Sequence, residues 1–538
     1  MGDDERVLQG VEWGIAILLT GVALYFHYTF SSHVGPLWRD EINSVAFAKM
    51  PSIAKIYENL RYDSFPLLST MLLRGWIAAF GGADSSLRIY GLLIGSLLVG
   101  SLWWTSRLLG RRMPLFSLAL VGFNPWVVRT VGSIRPYGIG IALIVATLGC
   151  VWKAVETSKP RWFLAATVLA VASVQCMFQN AFLLLAICVA GAVVALRDGR
   201  MKIAILTLGV GFVAAVSIAI YLPSLAASQA WAVLVRQPVP MQRLWDTLTK
   251  TLSFDAPANL WPWIVLPTIA LCLGAYGLVS KRRHRADHGR AGLAVFGATI
   301  LVVGTAAYLA ALKSTQLQTE PWYYVPLAVL MAPILDASVG LLAISERPRI
   351  LRAAAVLGVA FLMALSGWSQ TLTRWTNIDV VAEKMSKQVT AGDTIVLNPF
   401  WLGMTFQRYY HGPAAWVTLP PIEDVSIVRY DLVKAAMARP RPIDPTLEAM
   451  AKSLQSGHRI WWVGGISTGP DNEIPRILPP APLPNTGWSI GPYLLSWGRQ
   501  AAHLVELHAV KAEVMEARTE GPVSNYEHAA VTIVSGWQ

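Results

Sequence analysis

Two adjacent carboxylates preceded by an arginine, Arg39-Asp40-Glu41, follow shortly after the first long apolar run, 11–30. Charge held at the edge of hydrocarbon is costly and tends to be functional. A carboxylate there can take a proton from a hydroxyl as a general base. Asp40 can equally cap a helix beginning near Glu41, since Asp is a favoured N-cap. Beyond the pair, apolar residues recur at Ile42, Val45, Ala46, Ile53, Ile56, Tyr57 and Leu60, broken once by Pro51. That spacing predicts two short helices lying in the membrane interface. Asp63 comes next, in Asp63-Ser64-Phe65-Pro66; with Asp40 and Glu41 it would offer hard oxygen ligands to a divalent cation. The nine histidines form no helical pair and no His-Glu-x-x-His site. Cys150, Cys176, Cys188 and Cys272 all lie inside apolar runs, without zinc-ligand spacing.

The elements that must position these residues are mostly apolar. Of 538 residues, 54% are hydrophobic and only 14% charged, against about a quarter charged in a soluble domain. The formal charge of +12 does not point to nucleic acid, because the basic residues fall in short clusters between apolar runs. Such clusters act as topology signals facing an anionic leaflet. The 22 tryptophans suit interfacial belts. The acidic start, Met1-Gly2-Asp3-Asp4-Glu5, and the long run after it predict a retained span rather than a cleaved signal peptide.

Runs long enough to cross the bilayer are 11–30, 87–109, 114–131, 137–155, 162–178, 181–196, 203–222, 261–279, 291–312, 323–344 and 353–372. The piece 66–80 is short and carries Arg74. If it does not cross, several basic groups share one side: Arg107, Arg111 and Arg112; Lys153, Lys159 and Arg161; Arg197, Arg200 and Lys202; Lys281 to Arg285; and Arg347, Arg349 and Arg352. The positive-inside rule then makes that side cytoplasmic. The expectation is a polytopic α-helical membrane protein of about eleven spans, or twelve to thirteen if marginal segments cross, with its N-terminus inside. The domain 1–372 would hold the spans, with 31–65 as its extracytoplasmic loop. From Thr373 helical and strand-like stretches alternate, predicting an α/β domain over 373–538 on the same outer face. Gly464-Gly465-Ile466-Ser467-Thr468-Gly469 fits no nucleotide-binding pattern and reads as a loop.

The order of motifs resembles a family. After Asp40-Glu41 and the amphipathic loop come Phe80-Gly81-Gly82, Leu87-Arg88-Ile89-Tyr90-Gly91, Arg107-Leu108-Leu109-Gly110-Arg111-Arg112, Asn124-Pro125-Trp126 and Ser133-Ile134-Arg135-Pro136-Tyr137-Gly138. Over roughly the first third, this looks like the C-type (GT-C) membrane glycosyltransferases. These include protein O-mannosyltransferases, lipid A aminoarabinose transferases and rhizobial lipopolysaccharide galacturonosyltransferases. The resemblance implies the GT-C fold and a single sugar carried on a polyprenyl phosphate. It implies transfer to a lipid, glycan or protein acceptor on the outer face, with no nucleic acid among the partners. Asp40 would be the base and Glu41 would orient it or the sugar. Arg135 and Tyr137 would hold the donor phosphate, although Gly132 and Ser133 stand where relatives often carry an acid or glutamine; an interfacial arginine snorkelling to water is the alternative. Lys313, Glu320 and Tyr324 match a further phosphate-side group in part; interfacial anchoring by Trp322, Tyr323 and Tyr324 is the alternative. Asp63 stands where relatives often have His or Lys, which implies a different acceptor or sugar contact.

Two other accounts remain open on sequence. A lipid or glycan transporter would be expected to show related halves and broken helices near the midplane. A scaffold recruiting partners through the final domain leaves the Arg-Asp-Glu loop unexplained. The expected location is a bacterial inner membrane, there being no organelle or retention signal.

Overall fold

In hydrocarbon a backbone must satisfy its own polar groups, so the apolar runs can cross only as helices. The computed structural model describes residues 3–63, 65–110, 113–279, 285–343, 345–468 and 474–538. Ser64, Arg111, Arg112, Lys281 to His284, the end of the 323–344 run and Gly469 lie outside the described residues. The chain divides into two compact units. The first comprises Met1–Ser32, Ser64–Leu222 and Gln237–Leu372; the second comprises His33–Asp63, Pro223–Arg236 and Thr373–Gln538.

Among the described residues nine helices are long and apolar enough to span a membrane: Glu5–His33, Asp84–Gly110, Tyr137–Thr157, Asn180–Arg197, Met201–Ala232, Pro257–Val279, Gly289–Thr315, Val325–Leu342 and Glu346–Thr371. The expected span 114–131 is instead two helices, Leu115–Val121 and Pro125–Gly132, bent by 83°. Its cause is local. Pro125 cannot continue the preceding helix, and Asn124 caps the next, its Oδ1 accepting from Trp126 N at 2.9 Å and Val127 N at 3.3 Å. Asn124 Nδ2 also donates to Thr251 O at 2.9 Å, which fixes the bend to a neighbouring segment. The expected span 162–178 is the helix Pro160–Val174, and 66–80 is the helix Leu67–Phe80. At 1.5 Å per residue both are roughly 21–22 Å long, well short of the hydrocarbon thickness of about 30 Å. Their ends meet where Leu68 N donates to Gln175 O at 3.1 Å.

Arg352 and Asp336, both buried, form an ion pair at 2.6 Å. Asp336 Oδ2 accepts from both the N–H and the Oγ of Ser117 at 3.1 Å. Arg349 donates to both oxygens of Glu12, at 3.3 and 2.7 Å. Two of the three arginines read as a topology signal at 347–352 thus also tie helices of the first unit together.

The second unit is built on strands β1 Arg374–Thr376, β2 Thr394–Asn398, β3 Ala415–Thr418, β4 Ile460–Gly464, β5 Lys511–Met515, β6 Val523–Glu527 and β7 Val531–Ser535. Five form one sheet in the order β3-β2-β4-β7-β5, parallel across β3, β2 and β4 and antiparallel at β7 and β5; β1 pairs with β6 separately. Side chains alternate across the strands. Val396 and Trp462 therefore enter a core with Val433, Met437 and Trp497. Ile395, Leu397, Trp461 and Val463 enter another, with Ile378, Met385 and Phe406. Burial on both faces explains the unbroken apolar run of β4. At its end Gly464 has φ +109, where a Cβ would run into Asn398 O; only glycine fits that loop entry.

Candidate active site

Asp40 lies in the second unit, in the first turn of the helix Arg39–Lys49, with Trp38 as the N-cap. The alternative that Asp40 is itself the cap is corrected: the helix starts a residue before it. The orphan donor is satisfied by Glu41, whose Oε2 accepts from Trp38 N at 3.3 Å, the reaching-back half of a capping box. Glu41 is completely buried. Its carboxylate thus faces the backbone of the turn and not solvent. Asp40 is the accessible acid, its side chain 28% exposed and 3.4 Å from Arg39 Nε.

The turn is anchored by partners far along the chain. Arg39 N donates to Glu527 Oε2 at 3.0 Å, Leu37 N to the Tyr409 hydroxyl at 2.7 Å, and Val428 N to Asn43 Oδ1 at 3.1 Å. Trp38 stacks on Trp375 with centroids 4.7 Å apart. The Arg39 guanidinium lies over Trp38 and Trp401, at 5.6 and 5.5 Å. Burial pulls the Arg39 pKa down, but the charges of Asp40, Tyr430 and Glu527 outweigh it and hold it above its ordinary value. Glu527, 2% exposed, also accepts from Thr376 Oγ1 at 3.3 Å. Burial pushes its carboxyl up to about 7, against the pull of Arg39. Neither Glu527 nor Tyr409 carries a local sequence signal, because each meets the turn only through the fold.

Asp63 ends the short 3₁₀ turn Leu60–Tyr62. Among the described residues no three His, Cys, Asp or Glu side chains are grouped as a cation would need. The divalent-cation arrangement of Asp40, Glu41 and Asp63 is thus corrected: the three acids are not gathered around one point.

The first unit holds the residues assigned to phosphate. Arg135 and Tyr137 flank Pro136 in the turn between the helices Pro125–Gly132 and Tyr137–Thr157. The Arg135 guanidinium lies 4.7 Å from the Phe65 ring centroid. Phe65 meets Tyr137 edge-on at 5.2 Å, and Tyr137 meets Tyr323 at 6.3 Å. The segment bearing Phe65 is held by Leu67 N donating to the Tyr221 hydroxyl at 3.2 Å, which in turn donates to Gln175 Oε1 at 2.5 Å. Tyr324 is fully buried, with its hydroxyl 2.8 Å from Thr319 Oγ1. Tyr323, one residue earlier, is the ring beside Tyr137. Lys313 is exposed in the last turn of the helix Arg285–Thr315, where a cation complements the helix dipole.

Among solved structures the chain is similar to ArnT from Cupriavidus metallidurans bound to undecaprenyl phosphate, at 13% identity over 84% of this chain and 93% of that one, with a TM-score of 0.49. The apo state of the same protein matches at 12% identity, covering 84% and 92%, with a TM-score of 0.49. The Archaeoglobus fulgidus oligosaccharyltransferase tethered to an acceptor peptide matches at 10% identity over 85% of this chain and 69% of that one, with a TM-score of 0.42. Both proteins are C-type glycosyltransferases, the class that the sequence motifs resemble. No family model and no curated protein matches the sequence.

Proposed function

We propose that this multi-span membrane protein is a glycosyltransferase that moves a single sugar from a polyprenyl phosphate to a lipid, glycan or protein acceptor on the extracytoplasmic face of a bacterial inner membrane. The observation that carries the reading is the division of labour in Asp40-Glu41. One acid is buried in holding the turn, and the other is presented to solvent on a helix end anchored by Glu527, Tyr409 and Val428. Asp40 accepts the proton of the acceptor hydroxyl as its oxygen attacks the anomeric carbon. The bond from that carbon to the phosphate oxygen breaks, and polyprenyl phosphate leaves with the electron pair. Arg135, on a turn ringed by Phe65, Tyr137 and Tyr323, supplies paired donors to the leaving phosphate. The segment 31–65 serves the catalytic face with 373–538, and the spans within 1–372 hold the donor.

The test uses purified protein in lipid, a panel of polyprenyl-phosphate sugars and a membrane lipid extract. Release of polyprenyl phosphate from one donor, lost in Asp40→Asn while the variant melts as the wild type does, is the expected result. Transfer that persists in Asp40→Asn removes Asp40 as the base.

A further inference from the structure

The second unit contains a cavity of about 400 Å³ lined by Arg61, Tyr62, Trp231, Asp431, Lys434 and Trp488, with small alanines between them. That size is within the range of small-molecule sites. Its walls are fastened together. Trp231 Nε1 donates to Arg61 O at 2.7 Å, and Tyr62 donates to Asp431 Oδ2 at 3.2 Å. Arg429 holds both oxygens of Asp431, at 2.8 and 2.7 Å. Burial works against charge on Asp431, yet the bonds from Arg429 outweigh it and keep the carboxyl below its ordinary pKa. The Lys434 ammonium lies 4.5 Å from the Trp488 ring centroid. Arg61 is exposed and is not among the ion pairs described for Asp431.

Two chemistries meet in this cavity. Indole and phenol rings offer flat apolar faces with polar rims, which suits the C–H face and hydroxyl edge of a sugar ring. Asp431 is already matched by Arg429, so Arg61 and Lys434 leave the cavity with cationic character suited to a carboxylate or phosphate. A run of ring contacts leads from the cavity toward the Asp40 turn. Tyr430 stacks on Trp231 at 5.4 Å and packs against Phe400 at 6.1 Å. Phe400 meets Trp401 at 5.2 Å, and Trp401 lies under the Arg39 guanidinium.

We propose that this cavity binds an acidic sugar, a ring bearing a carboxylate or phosphate, as the recognition site for the acceptor beside Asp40. The assignment of the ligand to the acceptor rests on the transferase reading; binding itself does not. Full-length protein in lipid nanodiscs is titrated with glucuronate, glucose 6-phosphate and glucose, with inorganic phosphate as competitor, and binding is followed by saturation-transfer NMR of the sugar ring protons. At least one acidic sugar should bind at least fivefold more tightly than glucose, and the tighter of the two identifies the anionic group. Lys434→Gln should abolish that preference, and Trp488→Ala should weaken both acidic sugar and glucose at least fivefold. Absence of saturable sugar binding, equal affinity for glucose, or indifference to both cavity variants overturns the proposal. A failure of transfer with binding intact overturns only the catalytic reading.

Discussion

Glu527 gives the most quantitative test of how the Asp40 turn is held. Its carboxyl is buried and titrates at about 7 in the folded chain against an ordinary 4.5. At 1.36 kcal/mol per tenfold, that difference corresponds to roughly 3 kcal/mol. A raised carboxyl pKa means that the folded chain binds the proton more tightly than the unfolded chain. Its stabilising contribution is therefore complete below about pH 4.5 and is lost as pH rises through about 7. In Glu527→Gln the amide oxygen can still accept from Arg39 N, but nothing titrates. The other shifted carboxyls of this unit, Glu383, Asp393, Asp424 and Asp431, all lie below their ordinary values and act only at lower pH. Denaturant unfolding of the wild type between pH 4.5 and 8 should lose about 3 kcal/mol, while Glu527→Gln should be nearly flat. A flat wild-type profile, or the same fall in the variant, would refute the assignment of this proton to Glu527.

The Asp336–Arg352 pair should behave as a buried pair does: Asp336→Ala or Arg352→Ala alone should cost about 3–5 kcal/mol, whereas Asp336→Leu with Arg352→Met should recover most of that loss. Thermal melting of the single and double variants decides it, and additive losses would count against a coupled pair. At the phosphate-side residues, Arg135→Lys should lower kcat/KM for polyprenyl-phosphate release by roughly tenfold or more, because an ammonium cannot reproduce the planar fork. Tyr324→Phe removes the hydroxyl that Thr319 and Thr247 hold. It should leave kcat/KM within about twofold while costing about 1 kcal/mol of stability. Equal kinetic defects in the two variants would return Tyr324 to the donor site.

The periodicity of the chain carries much of the fold in its sequence. In the region from Thr373, read as alternating helix and strand, the strands Thr394–Asn398, Ala415–Thr418 and Ile460–Gly464 fall on the short apolar runs. Each is a short apolar run bounded by turn residues, so the local signal and the tertiary environment agree. The span over 114–131 reads as continuous because hydropathy averages over Asn124-Pro125, while the chain bends where that proline and its cap stop the helix. The antiparallel edge strand β5 was not legible: Lys511–Met515 is almost wholly exposed and lacks a buried face to impose alternation.

The candidate site divides along the same physical line. Asp40 and Arg135 stood out because charge at a membrane edge is conspicuous in sequence. What each acid does was hidden, since Asp40 and Glu41 differ in environment and not in chemistry. Glu41 lies one position further into the helix, and that step carries its carboxylate to a buried N–H instead of to solvent. The partners that impose this difference lie 372 to 488 residues away in the chain. An adjacent pair of acids can therefore announce a site from sequence, but assigning base and support between them requires the far-off strand that holds the turn.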